Sequence, residues 1–196
     1  MMTVIGITGP TGAGKTSALE ALKRLDFQVI DCDALYYEIL DRDKALREAL
    51  EASFGQVFQP SGKLDRKALG SRVFGDSREL AKLDRIVFPA VKSAVENKIE
   101  KCSQKGLAID AINLIESKMG GLCDFTVALL ADPAVRMKRI MARDGLTEER
   151  AKARIAAQKP DSFYRKNCTF TLENRAGCKA EFDKLIYEFF EGLLEE

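Results

Sequence analysis

The chain has 196 residues, 46% of them hydrophobic and 31% charged, with a formal net charge of +1. That size and apolar content suit one α/β domain with room for inserted helices, and the near-neutral balance argues against a dedicated nucleic-acid binder. No apolar run approaches membrane-spanning length, and no signal peptide fits ahead of the first strand. The five cysteines, Cys32, Cys102, Cys123, Cys168 and Cys178, form no C-x-x-C pair and read as reduced thiols of a cytosolic protein. Histidine is absent, so any general base is expected among carboxylates, lysines or other groups.

The first element is a strand over 3–8, from the apolar run Val4-Ile5-Gly6-Ile7. Gly9-Pro10-Thr11-Gly12-Ala13-Gly14-Lys15-Thr16 follows and fits the phosphate-binding pattern G-x-x-x-x-G-K-[ST] without a mismatch. A helix over 16–25 completes a strand–loop–helix unit. In that context the glycines let backbone N–H groups converge on a phosphate at the helix N-terminus. Lys15 is expected to reach the β- and γ-phosphates of a nucleoside triphosphate and the Thr16 hydroxyl to ligate Mg²⁺. Thr11, Gly12, Ala13, Gly14 and Ser17 are the further candidate nucleotide contacts.

A strand over 27–31 comes next, then a helix over about 33–53 broken near Asp41-Arg42-Asp43. Turn residues run from Gly55 to Gly62, and helices are expected near 65–74 and 77–104. Buried strands over 107–109 and 125–130 follow. Asp132-Pro133 starts a helix to about 143, and a second runs from Thr147 to Gln158. A strand over 169–172 and an amphipathic helix over 177–193 close the order. Short strands, apolar on both faces and alternating with helices, predict a parallel sheet covered on both sides.

Asp31-Cys32-Asp33 falls where the second strand gives way to a helix, and ligands of such sheets gather at the carboxyl ends of strands. Strand alternation would point residues 31 and 33 to one side. A carboxylate there can take a proton from an attacking hydroxyl or hold Mg²⁺ through water. Equally, Asp33 can serve as the helix N-cap. The lack of histidine adds weight to the catalytic reading.

With these motifs the chain resembles the dephospho-CoA kinase family from the phosphate loop to Asn174. The family's D-x-D is Asp31-Cys32-Asp33, and its G-x-L-x-R-x-x-L…V-F is Gly62 to Leu69 with Val73-Phe74. Its D-x-P-L-L-F-E is similar to Asp110 to Glu116. Its lid segment resembles Arg139…Arg143-Asp144-Gly145-Leu146-Thr147 leading to Arg154-Ile155-Ala156-Ala157-Gln158. Asn174 resembles the asparagine of its late N-x-G. The resemblance implies a P-loop NTPase-type three-layer α/β/α fold. Its core would lie at about 1–35, 105–135 and 166–196, with a helical acceptor-binding region at about 36–104 and a helical lid at about 136–165.

It further implies an ATP- and Mg²⁺-dependent kinase, a cytoplasmic monomer, that phosphorylates the ribose 3′-hydroxyl of dephospho-CoA. Asp33 would be the base, and Lys15, Arg139 and Arg143 would stabilise the transferring phosphoryl group. Arg143 and Asn174 would also contact the nucleotide, while Arg66 and Glu116 would serve the acceptor. Arg66 and Arg72 are candidate partners for the acceptor's pyrophosphate. Spacing points the same way for the lid: Arg136, Arg139 and Arg143 share one helix face, and Arg150, Arg154 and Gln158 recur every four residues. Residues 134–160 carry eight basic and three acidic side chains, a local excess of +5.

The family's Arg four residues beyond Asp33 is Tyr37 here, and its His-Pro is Phe88-Pro89. Its Pro and first Leu of P-L-L-F-E are Ile112 and Asn113, and Ala176 replaces the glycine of N-x-G. These departures fall mainly on the acceptor side. The alternatives are a kinase of the same architecture acting on a nucleoside, nucleotide or other small hydroxyl compound, and a slow nucleotide-dependent switch. The GTP version of a switch expects an N-K-x-D motif, which the chain lacks.

Overall fold

The fold comes from a computed structural model that describes residues 2–73, 75–175 and 177–195. In chain order the elements are β1 (Thr3–Thr8), α1 (Lys15–Arg24), β2 (Phe27–Asp31), α2 (Cys32–Arg42), α3 (Lys44–Phe54), α4 (Arg66–Val73) and α5 (Ser77–Glu100). Then follow β3 (Gly106–Asp110), a short 3₁₀ turn (Met119–Leu122), β4 (Phe125–Leu130), α6 (Pro133–Asp144), α7 (Glu148–Ala156), α8 (Asp161–Asn167), β5 (Phe170–Glu173) and α9 (Lys179–Glu195). Chain contacts divide these into two compact units, Met1–Ile30 with Cys102–Glu196, and Asp31–Lys101.

The first unit holds the sheet, in the order β2-β3-β1-β4-β5, with β1 parallel to both β3 and β4, and β4 parallel to β5. Its strands are apolar on both faces because helices cover both. From Val4 onward every residue of β1 is buried, as are Gly106–Ile109 of β3. Parallel strands need crossovers, and helices supply them. One face of the sheet buries Ile5, Ile7, Leu22, Phe27, Phe182, Ile186 and Phe190 in a single cluster, joining α1 and α9 to the strands. Burial of such side chains is worth roughly 1.5–3 kcal/mol each before chain entropy is counted.

The second unit is helical around its own core of Leu40, Leu46, Leu50, Phe54, Val57, Phe58, Leu69 and Val73. The break expected near 41–43 falls at Asp43, whose carboxylate accepts from Leu46 N at 2.9 Å and so caps α3. Asp76 likewise caps α5 through Arg78 N at 2.8 Å. Asp65 Oδ1 accepts from Lys67 N and Ala68 N at 3.0 and 2.9 Å at the start of α4.

The sequence reading misses α8, a seven-residue helix after Pro160 that is too short to show a helical period. It also carries α5 to 104, whereas the helix ends at Glu100. Phe74 of the expected V-F pair and Ala176 of the N-x-G comparison lie outside the described residues.

The close approach of β1, β2 and β3 leaves no room at Gly106. A methyl group there would lie 2.3 Å from Phe27 Cε1 and 2.6 Å from the Thr3 carbonyl oxygen. Gly106→Ala should therefore cost about 1–3 kcal/mol, lowering Tm by roughly 3–10 °C in a thermal melt. An unchanged Tm would contradict the packing described here.

Candidate functional site

The phosphate loop leaves the carboxyl end of β1 and runs into α1, and the rest of the first unit fixes its shape. Three consecutive loop carbonyls are held by three separate side chains. Arg136 Nε donates to Thr11 O at 3.1 Å, Arg139 Nη1 to Gly12 O at 3.1 Å, and Asn174 Nδ2 to Ala13 O at 3.1 Å. In a planar trans peptide the C=O and the next N–H point in opposite directions. Holding the Thr11 and Ala13 carbonyls therefore aims the N–H groups of Gly12 and Gly14 the other way, while that of Ala13 is taken up within the loop. Ala13 N closes the turn on Pro10 O at 3.2 Å. Lys15 Nζ makes a long 3.4 Å contact with Gly9 O, weak enough to be exchanged for a phosphate oxygen.

Gly14 is the N-cap of α1, in the left-handed region at φ 116°. Thr16 is exposed in the first turn of that helix, with its hydroxyl at the loop's end. Ser17 is turned inward: it is buried, its N–H donates to Gly14 O at 3.0 Å, and its hydroxyl bears on Asp183 of α9. Lys179 first, and then that hydroxyl, hold the Asp183 carboxyl below its ordinary value. Asn174 is anchored by its own N–H on Leu130 O at 2.7 Å. Its Oδ1 is buried with no hydrogen-bond partner among the described residues. Beside it opens a cavity of about 360 Å³ lined by Leu130, Pro133, Val135, Asn174 and Arg175 among others.

The arginines of α6 and α7 take different partners. Arg136 is 3% exposed and points inward beneath the loop. Arg139 touches the loop at Gly12, as above. Arg143 is exposed and clasps its neighbour Asp144, Nε to Oδ1 at 2.7 Å and Nη2 to Oδ2 at 2.9 Å. Arg154 Nη1 joins the same carboxylate at 2.6 Å. The Asp144 carboxyl is held below its ordinary value, chiefly by Arg143 and then by Arg154. Glu116 lies in the turn after β3, and its Oε2 is buried with no hydrogen-bond partner among the described residues. Burial, and next the Glu116 charge, push the Tyr164 phenol up to about 12.

In the second unit the helix cap is Asp31, not Asp33. Asp31 Oδ1 accepts from Asp33 N at 2.9 Å and from Ala34 N at 3.0 Å. Because α2 already starts at Cys32, strand alternation does not relate residues 31 and 33. The exposed Asp33 side chain belongs to the first turn of α2 and is not the cap. Arg66, at the start of α4, lays its guanidinium over the Tyr37 ring at 3.9 Å from the centroid.

The structure thus gathers Thr11, Gly12, Ala13, Gly14, Lys15, Thr16, Arg139 and Asn174 around one loop. Glu116 and Arg143 sit elsewhere in the same unit, and Asp33 and Arg66 belong to the other. What the sequence reading missed is the inward job of Arg136 and Gln158 on Thr11. Nothing local marks a contact that spans 147 residues, although Gln158 does close the recognised lid segment.

A methyl group on Gly14 would meet Asn174 Nδ2 and Phe182 Cε1, each at 2.8 Å, at a φ that side chains rarely adopt. Strain of this kind costs about 1–3 kcal/mol, so Gly14→Ala should weaken ATP binding by roughly 5- to 150-fold. Titration calorimetry of the folded variant checks this, and an unchanged Kd would refute it.

The family model for dephospho-CoA kinase matches residues 3–180. The dephospho-CoA kinase of Geobacter sulfurreducens is 32% identical over 193 residues, covering 96% of this chain and 98% of its own. That of Shouchella clausii is 31% identical over 188 residues, covering 94% and 95%. A crystal structure from Thermus thermophilus superposes with a TM-score of 0.81 at 30% identity, covering 99% of this chain and 97% of its own. Shikimate kinase from Bacteroides thetaiotaomicron, at 15% identity and a TM-score of 0.62 over all of both chains, shares the fold. A family match across nearly the whole length, with relatives above 30% identity, shows that the chain belongs to the dephospho-CoA kinase family.

Proposed function

We propose that this phosphotransferase moves the γ-phosphoryl group of ATP to the ribose 3′-hydroxyl of dephospho-CoA, giving CoA and ADP. The observation that carries the reading is the complete phosphate loop, braced carbonyl by carbonyl, in a chain of this family. The loop N–H groups and the N-terminus of α1 bind the phosphates. Lys15 leaves its long contact with Gly9 O for the β- and γ-phosphate oxygens. Arg139 adds positive charge beside the loop, and Arg143 does so once its clasp on Asp144 opens. The cavity beside Asn174 would take the nucleotide base.

Thr16 suits Mg²⁺, a cation that takes one or two protein oxygens and fills its shell with phosphate and water. Its hydroxyl is an exposed hard oxygen at the helix start. When bound, the ion neutralises charge on the β- and γ-phosphates. Asp33 accepts the proton of the 3′-hydroxyl as that oxygen attacks the γ-phosphorus and ADP departs. Its assignment gains from Asp31 taking the cap. On the acceptor side, Arg66 over Tyr37 keeps a cation next to the position where the family pattern has arginine.

The helical region 36–104 would bind the acceptor, and 136–165 would act as the lid that keeps water from the reaction. We take the protein to act as a cytosolic monomer. Its five cysteines are unpaired, and no helix among the described residues is long and apolar enough to cross a membrane.

ADP-release kinetics with product analysis test the acceptor. Dephospho-CoA should give a higher kcat/KM than adenosine, any nucleoside monophosphate or shikimate, with phosphate found at the 3′ position. A nucleoside diphosphate as preferred product would assign the chain to another acceptor. Asp33→Asn should lower kcat by about 10²- to 10⁴-fold with ATP affinity nearly unchanged. Loss of Tm at normal kcat would reduce Asp33 to a structural residue. Lys15→Ala should lower turnover by about 10²-fold or more, and near-normal turnover in a folded variant would exclude its assigned role.

A further inference from the structure

Thr11 occupies a variable position of the phosphate-loop pattern, yet its polar groups are all engaged. Gln158 Nε2 donates to its hydroxyl at 2.7 Å, and its own N–H donates to Gln158 Oε1 at 3.3 Å. Its carbonyl accepts from Arg136 Nε at 3.1 Å, and Arg136 Nη2 donates to the same Gln158 oxygen at 2.6 Å. The three residues form a closed ring of hydrogen bonds. Thr11 is 5% and Arg136 3% exposed. Arg136 lies on α6 near its start, and Gln158 lies two residues beyond α7. The ring therefore ties both ends of the α6–α7 segment to a single residue of the loop.

We infer that Arg136 and Gln158 are positioning residues for phosphoryl transfer, a latch through which the triphosphate-binding loop and the α6–α7 segment hold one another in the binding geometry. Two physical effects give the latch its consequence. The guanidinium bond to Thr11 O polarises the Thr11–Gly12 peptide and makes the Gly12 N–H a stronger donor toward an anion. A buried cation beneath the loop also adds attraction for phosphate in a setting where water screens little. The Asp161 carboxylate offsets part of this cation's burial, yet the guanidinium's hydrogen bonds go to a carbonyl and a neutral amide, a costly arrangement for packing alone. The arrangement makes more sense where an anion arrives on the other side of the peptide. Arg136 thus differs from Arg139 and Arg143: it acts through the loop and does not touch the substrate.

The inference rests on the ATP-dependent kinase reading, so its test uses nucleotide binding as well as turnover. In the full chain, Gln158→Met and Arg136→Lys should each raise the Kd for ATP, by calorimetry, about 10-fold or more. The KM for dephospho-CoA should stay within about twofold. Gln158→Glu retains an acceptor for Arg136 and for both Thr11 donors but offsets the guanidinium charge, so it should restore the protection from trypsin by a bound ATP analogue that Gln158→Met loses, without restoring full ATP affinity. Arg136→Met combined with Gln158→Met should be no worse than the more damaging single change, because the ring is already open. Binding of a non-hydrolysable ATP analogue should protect the Arg143–Arg154 stretch from trypsin in the wild type and fail to do so in Gln158→Met.

Variants that lose Tm but keep ATP affinity and analogue protection within about twofold would overturn the latch and leave a packing contact. A Gln158→Glu chain that the analogue protects no better than Gln158→Met would overturn it too. Should Arg136→Met fail to fold, the Gln158 pair and Arg136→Lys decide the matter. A wild-type chain that binds ATP yet makes no CoA would count against the acceptor assignment alone, with the latch still judged by Kd and protection.

Discussion

The site depends first on where the loop's carbonyl oxygens go. A loop can present converging N–H groups to an anion only if its C=O groups, which point the other way, find partners. Here the partners of Thr11, Gly12 and Ala13 lie 125, 127 and 161 residues along the chain. They reach the loop because β1 sits between β3 and β4, so that α6, which follows β4, and Asn174, which follows β5, converge on the carboxyl end of β1. The parallel order of the sheet is thus part of the nucleotide site. A strand order that moved β4 away from β1 would leave the loop sequence intact and its backbone unsupported.

The loop itself was legible because its chemistry is local: glycines, lysine and hydroxyl at fixed offsets between a strand and a helix. The strands were legible because apolar residues buried on both faces leave an uninterrupted pattern, as in Val4 to Ile7 and Phe125 to Leu130. The break at Asp43 was readable for the same reason that Asp43 makes it: an aspartate caps the next helix. The orientation of the arginine face was not readable. Spacing of three and four residues shows that Arg136, Arg139 and Arg143 share a side of α6, but only packing decides that Arg136 turns in while Arg143 turns to Asp144. The cap at Asp31 was missed by two residues because the strand gives way to a helix one residue earlier than alternation assumed.

The helical unit shows how a departure from a family pattern can be absorbed. Losing arginine at position 37 removes a charge, yet Tyr37 offers a ring face that an arginine favours, and Arg66 occupies it. Arg66, itself the arginine of the G-x-L-x-R pattern, thus keeps one cation beside position 37. Arg47 is placed in the same manner, over the Phe58 ring at 4.2 Å and on Leu40 O at 3.2 Å. Aromatic faces and carbonyls, not carboxylates, orient these guanidinium groups. Those contacts place no carboxylate opposite either guanidinium. A carboxylate partner would have spent that charge internally, as Asp144 does with Arg143 and Arg154.

A chain without histidine must use another group as base, and the proposed assignment to Asp33 fits a helix start already capped by Asp31. Asp31 satisfies the backbone donors at the start of α2. Asp33, in the first turn, lies where a helix end favours negative charge without having to cap it. Such a position does not make a carboxylate strongly basic, but phosphoryl transfer asks little basicity of its base. In a loose transition state the bond to the leaving group is largely broken before the attacking oxygen has bonded, so the hydroxyl proton is lost late. What the reaction demands is an acceptor for that proton and a fixed approach for the oxygen. An aspartate meets both demands at neutral pH, and the energetic burden falls on the charges around the phosphates. Five long-range side-chain hydrogen bonds meet there, at the loop.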